Sequence, residues 1–512
     1  MLPKGAGTAR TALEEAWRRQ TDLPARIVQV TGDAGALATA SLTVLRCLED
    51  KEQRGAFVAA PGAPWGEINQ DGNHVYDMVW SRDLYQVATA LIDVGDTDPA
   101  NRGLRHLANV QRADGSWPQN WTPAGRPHWN GTELDEAAYP ILLARRLWAA
   151  GTLDWDPYPQ LVRRAAGYIV RNGPLTPLDR WEDGGGLSPS TLAAAVSALV
   201  SAAEFANAAG EHLAAAHFLA VADYWADRVE PWCFSPEKGH YVRLASDPDE
   251  GAGPNDVLST DFLELVRLGV RGADHPAVLQ SLHAVDAQLL FRGPGGPAWR
   301  RYVGDGYGEL ADGSSWRAGG IGRPWPLLAG ERAQYEFLAG GNRAPDLARA
   351  YESFAGPGLM LPEQVWDGPP VPARGLVPGK ATGSAAPLGW AHAEYLKLLC
   401  TIANQRCGDL LPAVGRRYTE PPDEPDFVWS AAHPIQWFER GRKVRVQLAE
   451  PATLRWSADE WASFKESVTS DTTLGLHVAT LPTQIMRPGA VMSWTIHYVD
   501  RWEGRNYTFT CR

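Results

Sequence analysis

Ser188-Pro189-Ser190-Thr191-Leu192-Ala193-Ala194-Ala195-Val196-Ser197-Ala198-Leu199-Val200 opens the most regular stretch of this 512-residue chain. Leu192, Val196, Leu199 and Val200 recur at three- and four-residue spacing, the period of one helix face. Ser188 stands where a helix cap belongs, and Pro189 takes the first helical position, where its missing N–H costs nothing. The reading is a helix over 190–208. The same Ala- and Leu-rich pattern returns at 35–50, 82–95, 98–112, 133–149, 158–172, 212–229, 258–268, 275–288, 322–339, 344–354 and 384–403. Asp274-His275-Pro276 is a second start signal, with Asp274 as candidate cap. Loops rich in Gly, Pro, Asp and Trp separate the helices. Twelve helices joined by alternating short and long loops fit paired helices closed into an (α/α)6 barrel, a mainly α fold. Periodicity alone also allows a helical solenoid.

The pattern changes near Pro412. Pro421-Pro422 and Pro425 lead into a segment where Val444, Val446 and Leu448 alternate with polar residues. Ser493-Trp494-Thr495-Ile496-His497-Tyr498 and Tyr507-Thr508-Phe509 also read as strands. Residues 1–410 are therefore expected to form the barrel, and 415–512 a small β-sandwich domain.

Composition narrows the function classes. Charged residues make up 21%, the net charge is −12, and no Lys/Arg block occurs. Nucleic acid and anionic membranes both need clustered positive charge, so neither is an expected partner; oligomeric state stays open. The five cysteines (Cys47, Cys233, Cys400, Cys407, Cys511) form no C-x-x-C pair, which argues against zinc or a redox centre. Met1 to Gly7 lacks a signal-peptide pattern and no apolar run approaches membrane-spanning length, so a cytoplasmic protein is expected. Twenty-two tryptophans exceed what a core needs, and flat aromatic faces suit the C–H faces of sugars.

Phosphate-loop, zinc-helix and nucleophile-elbow motifs are missing, and the twelve histidines form no ligand-spaced cluster. What remains is carboxylates among aromatics in loops. Four clusters qualify: Tyr76 to Asp83, Trp129 to Glu136, Arg180 to Gly186 and Leu361 to Asp367. Glycoside hydrolysis needs two carboxyl groups, one protonated and one ionised. An inverting enzyme keeps them ~6.5–9.5 Å apart, leaving room for the attacking water. Taken singly, each cluster also reads as a helix cap with first-turn carboxylates, and Arg82-Asp83 as a structural ion pair.

In combination and order they resemble glycoside hydrolase family 15, the glucoamylases and glucodextranases, in its bacterial branch. The likeness runs from about residue 53 to residue 403. It is carried by Gly55-Ala56-Phe57-Val58-Ala59-Ala60, Pro64-Trp65-Gly66-Glu67, Val79-Trp80-Ser81-Arg82-Asp83-Leu84-Tyr85 and Asp114-Gly115-Ser116-Trp117-Pro118-Gln119-Asn120. The Trp129 to Pro140 run, Arg180-Trp181-Glu182-Asp183, Leu187-Ser188-Pro189-Ser190-Thr191, Arg301 to Glu309, Gly322-Arg323-Pro324-Trp325-Pro326-Leu327, Pro362 to Asp367 and Pro387 to Tyr395 complete it.

The resemblance implies roles. Glu182 matches the general acid, and its neighbours Trp181 and Asp183 favour the protonated form. Glu363 matches the general base that activates water. Tyr76 matches a tyrosine beside the reacting sugar, and Arg82 and Asp83 match the pair gripping hydroxyls of the terminal glucose. Arg301 and Asp183 would bind further hydroxyls, with Trp80 and Asp135 also lining the substrate site. Trp129, Trp325 and Trp390 match ring-contacting walls. Glu394 is a rival base and Glu133 and Glu136 rival acids; a buried or substrate-side role suits all three better.

The implied reaction is metal-free and cofactor-free hydrolysis releasing β-glucose from α-gluco-oligosaccharides. The chain departs from the commoner Trp-Glu-Glu pattern, having Trp181-Glu182-Asp183-Gly184-Gly185-Gly186. It also has only about 50 residues before the match, where many bacterial members carry a β-sandwich. Both departures lean towards small α-1,6-linked substrates. An α-1,4-specific glucoamylase, a trehalase and a non-catalytic glucan-binding protein are the alternatives. Trp456-Ser457-Ala458-Asp459-Glu460-Trp461 and Arg501-Trp502-Glu503-Gly504 are read as packing residues of the sandwich in preference to a sugar platform.

Overall fold

The computed structural model describes residues 10–15, 17, 21–66, 76–246, 256–317, 319–422 and 424–512. Glu67, the last residue of the Pro64–Glu67 motif, lies outside them. Each of the twelve stretches contains a helix: α1 (Ala36–Leu48), α2 (Ser81–Val94), α3 (Thr97–Val110), α4 (Leu134–Ala149), α5 (Arg163–Asn172), α6 (Pro189–Ala208), α7 (His212–Cys233), α8 (Leu263–Arg267), α9 (Pro276–Gln288), α10 (Pro326–Leu338), α11 (Ala344–Phe354) and α12 (Gly389–Asn404). A further helix, α13 (Pro412–Thr419), was not expected from periodicity. It starts with proline at its first position, the same signal that opens α6.

Three differences have local causes. The 258–268 stretch yields only the five residues of α8, because Leu258 bridges Val242 and the Asp261 N–H donates to Ser259 Oγ at 3.1 Å. Short polar side chains compete in this way with helical backbone bonds. The 322–339 stretch begins late, at Pro326, since a residue before proline is pushed out of helical geometry, and the 384–403 stretch begins at Gly389, after an extended Leu388. At α9 the residue before Pro276 is His275, so Asp274 is not the cap; the His275 carbonyl accepts the first helical N–H, from Leu279, at 3.1 Å.

The chain divides into two compact units. One comprises Met1–His106, Trp121–Arg126 and Ala287–Asp409; the other comprises Leu107–Asn120, Pro127–Asp286 and Leu410–Arg512.

In the first unit α12 packs against α1, α2, α10 and α11. Its buried polar residues are satisfied in a network. Lys397 Nζ donates to Gln86 Oε1 at 2.6 Å and pairs with Asp409 at 2.5 Å, and Tyr85 O–H donates to Asp409 at 3.0 Å. Glu394 takes the Gln334 amide and is fully buried. It is a structural carboxylate of the helix interior.

In the second unit α6 packs against α4, α7 and α8. Its small residues Ala193, Ala194, Ala195, Ala198 and Ala202 are all buried, which lets neighbouring backbones approach from several sides. A helix apolar all round belongs inside a large core. Contrary to expectation, α6 is long and apolar enough to cross a membrane by length and composition, yet 83% of the qualifying window is buried within the protein.

The same unit holds the β-rich residues. One sheet orders its strands Ser470–Asp471, His477–Leu481, Val444–Leu448 and Phe427–Trp429. The other runs Trp437–Phe438, Trp502–Cys511, Val491–Tyr498, Ala452–Ser457 and Lys465–Val468. The alternation expected at Val444, Val446 and Leu448 holds only in part, since Gln447 between them is buried too. On the strand Ala452–Ser457, not expected from the sequence, Leu454 and Trp456 are buried while Thr453 and Arg455 are partly covered. Trp494 is wholly buried, edge-on to Trp429 at 5.0 Å and stacked on Tyr507 at 4.5 Å. Trp456 is buried too, whereas Trp461 and Trp502 are exposed. Helix contacts are specific: the Gln447 side chain donates to Val170 O at 2.9 Å and meets His217 Nε2 at 2.7 Å, and Arg228 pairs with Glu439 at 2.8 Å.

Candidate active site

Glu363 sits on an extended segment fixed from both sides. Its N–H donates to Ala385 O at 2.8 Å, and the next two residues donate to Ser384 Oγ and Pro324 O. The carboxyl is therefore positioned by backbone, and it is only 2% exposed. Tyr76 O–H donates to its Oε1 at 3.1 Å and also meets Tyr307 Oη at 2.6 Å. Oε2 is buried with no hydrogen-bond partner among the described residues. Burial pushes the Glu363 carboxyl up to about 8, against the Tyr76 hydrogen bond and the positive charge of Arg301. Replacing Tyr76 by Phe removes a group that favours the anion. Any activity limb that reports Glu363 ionisation is expected to move to higher pH in Y76F, checked by kcat/KM against pH.

The surroundings of Glu363 contain the other residues expected in this unit. Trp80 precedes the first turn of α2, edge-on to Tyr76 at 5.8 Å. Arg82 and Asp83 follow in that turn, both buried and 4.0 Å apart at Nε and Oδ2. The Arg82 guanidinium lies 6.0 Å from the Trp390 ring, and the charge of Asp83 acts on Glu363. Arg301 is held bidentate by Asp305 at 2.8 and 2.7 Å. Its guanidinium stands 5.2 Å from the rings of Tyr307 and Trp325. Anchored on both sides, it presents a fixed cationic face.

Glu182, in the second unit, is placed by a tight loop. It is a non-glycine residue at φ +63°, a conformation kept only where surroundings over-determine it. Asp179 is the hub of that loop. Its carbonyl accepts the Glu182 N–H at 2.8 Å, its N–H donates to Gly184 O at 2.7 Å, and its fully buried carboxylate takes the Arg243 guanidinium at 2.7 Å. Asp261 holds the next two side chains, accepting from Arg180 Nε and Trp181 Nε1, each at 2.9 Å.

The glycines of Gly184-Gly185-Gly186 have packing reasons. A Cβ at Gly185 would lie 2.3 Å from Pro177 O, and Gly186 adopts φ +146° against Ala245 O. Asp183 is exposed, its carboxylate 3.7 Å from Arg243. Gln119 Nε2 donates to Glu182 Oε2 at 2.6 Å. Asp135 is buried in the first turn of α4 with Glu136, and Glu133 is buried just before it. Trp129 is half-buried, its N–H donating to Asn120 Oδ1 at 2.8 Å.

Gln119, Asp179, Arg243, Asp261, Asp305 and Tyr307 were not assigned from sequence. Asp305 and Tyr307 stood inside a quoted motif. Arg243 and Asp261 carried no local signal, because their partners lie 64 and 80 residues away. Among the described residues no group of three or more His, Cys, Asp or Glu is placed to hold a metal ion.

Comparison with known proteins gives one consistent result. The family model for glycosyl hydrolases family 15 matches residues 32–400. A glucoamylase of Clostridium sp. (strain G0005) is 40% identical over 406 residues, covering 76% of this chain and 56% of the relative. A bacterial glucoamylase solved with acarbose superposes with TM-score 0.71 at 37% identity, over 78% of this chain and 60% of that one. This chain thus spans under two thirds of the length of either relative. The Hormoconis resinae glucoamylase, 15% identical with TM-score 0.55, shares the fold over 93% of this chain and 95% of its own. The twelve helices are accordingly those of an (α/α)6 barrel, followed by a β-rich C-terminal region. Since the family model spans most of the chain and takes in both Glu182 and Glu363, the chain belongs to glycosyl hydrolase family 15.

Proposed function

We propose that this protein is an inverting exo-glucosidase that releases β-glucose from the non-reducing ends of α-gluco-oligosaccharides. The (α/α)6 barrel of residues 1–410 would do the chemistry, with 415–512 as an appended sandwich domain. The observation that carries the reading is the state of Glu363: buried, oriented by Tyr76 on Oε1, with Oε2 lacking a hydrogen-bond partner among the described residues. Glu182 donates to the leaving oxygen while Glu363 deprotonates the attacking water, so the anomeric centre inverts in one displacement. Arg82, Asp83 and Arg301 grip hydroxyls of the terminal sugar; Trp80, Trp129, Trp181, Trp325 and Trp390 supply its walls, with Asp135 and Asp183 as further polar contacts. No resident metal or cofactor enters this scheme.

On linkage, the reading favours α-1,6. Asp183 turns towards Arg243 and three glycines follow, so few side chains from this loop grip the leaving sugar. The second reading is α-1,4, favoured by the 40% identical relative named a glucoamylase. Initial rates on isomaltose, maltose, trehalose, soluble starch and dextran at equal concentration test this. The proposal expects kcat/KM for isomaltose above that for maltose, with little release from starch. Faster release from maltose and starch would replace it with the α-1,4 reading.

A further inference from the structure

Gln119 lies in Ser116-Trp117-Pro118-Gln119-Asn120, a segment with no freedom to drift. The Trp117 ring is fully buried and its Nε1 donates to Leu107 O at 3.0 Å. On the other side Asn120 accepts the N–H groups of Trp129, through its side chain, and of His128, through its carbonyl, at 2.8 and 3.0 Å. The amide of Gln119 is fixed as well: its Oε1 lies against Gly131, where an added Cβ would meet it at 2.5 Å. Its Nε2 is left directed at Glu182 Oε2, 2.6 Å away. Glu182 in turn holds its strained φ of +63° on the Asp179 loop.

We infer that Gln119 is a positioning residue for the acid Glu182: its N–H occupies Oε2, so the transferable proton is carried on Oε1, and the same N–H stabilises the carboxylate left after transfer. This rests on the reading of Glu182 as general acid. The chemistry follows from the donor. An amide N–H pointed at one carboxyl oxygen is accepted best by that oxygen unprotonated, which favours the proton on the other. Once the proton passes from Oε1 to the glycosidic oxygen, the new anion meets a charge-assisted hydrogen bond already formed. Gly131 allows the arrangement, because any side chain there would displace the Gln119 carbonyl.

The test compares wild type, Gln119→Met, Gln119→Glu and Glu182→Gln on maltose or isomaltose and on α-glucosyl fluoride, whose leaving group needs little proton donation. Titration of Glu182 is followed by the carboxyl carbon NMR signal that Glu182→Gln lacks. Gln119→Met is expected to lower kcat on the disaccharide about 10- to 100-fold, with KM and fluoride turnover within about twofold. The Glu182 signal should titrate at higher pH in Gln119→Met, and higher again in Gln119→Glu, where a second carboxyl opposes ionisation. Equal losses on both substrates, or a Glu182 titration that is unchanged or lowered, would overturn the inference while leaving the acid in place. Disaccharide turnover surviving in Glu182→Gln would overturn the acid assignment itself.

Discussion

Glu363→Gln is expected to cost roughly 10²- to 10⁴-fold in kcat on any α-glucoside, the range for losing a positioned general base, and to stabilise the fold at alkaline pH. The second effect follows from the first. A base must be an anion, yet Glu363 is buried and burial opposes ionisation, so its carboxyl is pushed from 4.5 up to about 8. Below pH 4 the group is protonated both folded and unfolded and has no effect. Between pH 4.5 and about 8 the unfolded chain ionises freely while the folded one holds its proton, so stability falls as pH rises through this window and then levels. At ~1.4 kcal/mol per pH unit, the accumulated loss is on the order of a few kcal/mol. A neutral amide of the same shape avoids it. Denaturant unfolding of wild type and E363Q at pH 4 and pH 9 checks this: near-equal stabilities at pH 4 and a more stable E363Q at pH 9. An E363Q less stable than wild type at pH 9 would mean that the anion is favourably paired in the fold.

Asp261→Ala carries the second large effect, for the opposite reason. Asp261 is fully buried and accepts from both Arg180 and Trp181, the two residues preceding Glu182. Removing it strands a buried guanidinium, which costs about 3–5 kcal/mol when no other partner exists. Glu264, 3.5 Å from Arg180, keeps part of the compensation, so the lower end is expected. Trp181 loses its indole acceptor at the same time, and with it the anchor beside the acid. Asp261→Ala should therefore lose about 3 kcal/mol in urea unfolding and at least ~10-fold in kcat, whereas Asp261→Asn, which retains an acceptor oxygen, should lose less of both. An Asp261→Ala variant that matches wild type in both would show that the carboxylate does not organise this loop.

These contrasts show what was legible in the sequence. The twelve helices follow from three- and four-residue spacing, and Pro189 marks the start of α6 correctly because its effect is local. Glu182, Glu363 and the aromatic neighbours of each were recognisable as motifs. What holds them was not. Arg243 reaches Asp179, Asp261 reaches Trp181 and Tyr76 reaches Glu363 across 64, 80 and 287 residues. Periodicity has no reach over such separations. The shortened α8 reflects competition from Ser259, and α13, eight residues long, is too short for apolar periodicity to mark it. The glycines after Asp183 carry a packing constraint that the sequence does not show, since Pro177 O and Ala245 O leave no room for a side chain at Gly185 and Gly186.

The central claim is inversion by a Glu182/Glu363 pair, and the anomer first released tests it most directly. Proton NMR of freshly hydrolysed maltitol or isomaltitol, whose only released glucose comes from the non-reducing end, read before mutarotation, should show β-glucose alone at early times, with far less from Glu182→Gln or Glu363→Gln. Early α-glucose would contradict the account, because it requires a covalent or retaining route that these two carboxylates were not assigned to support.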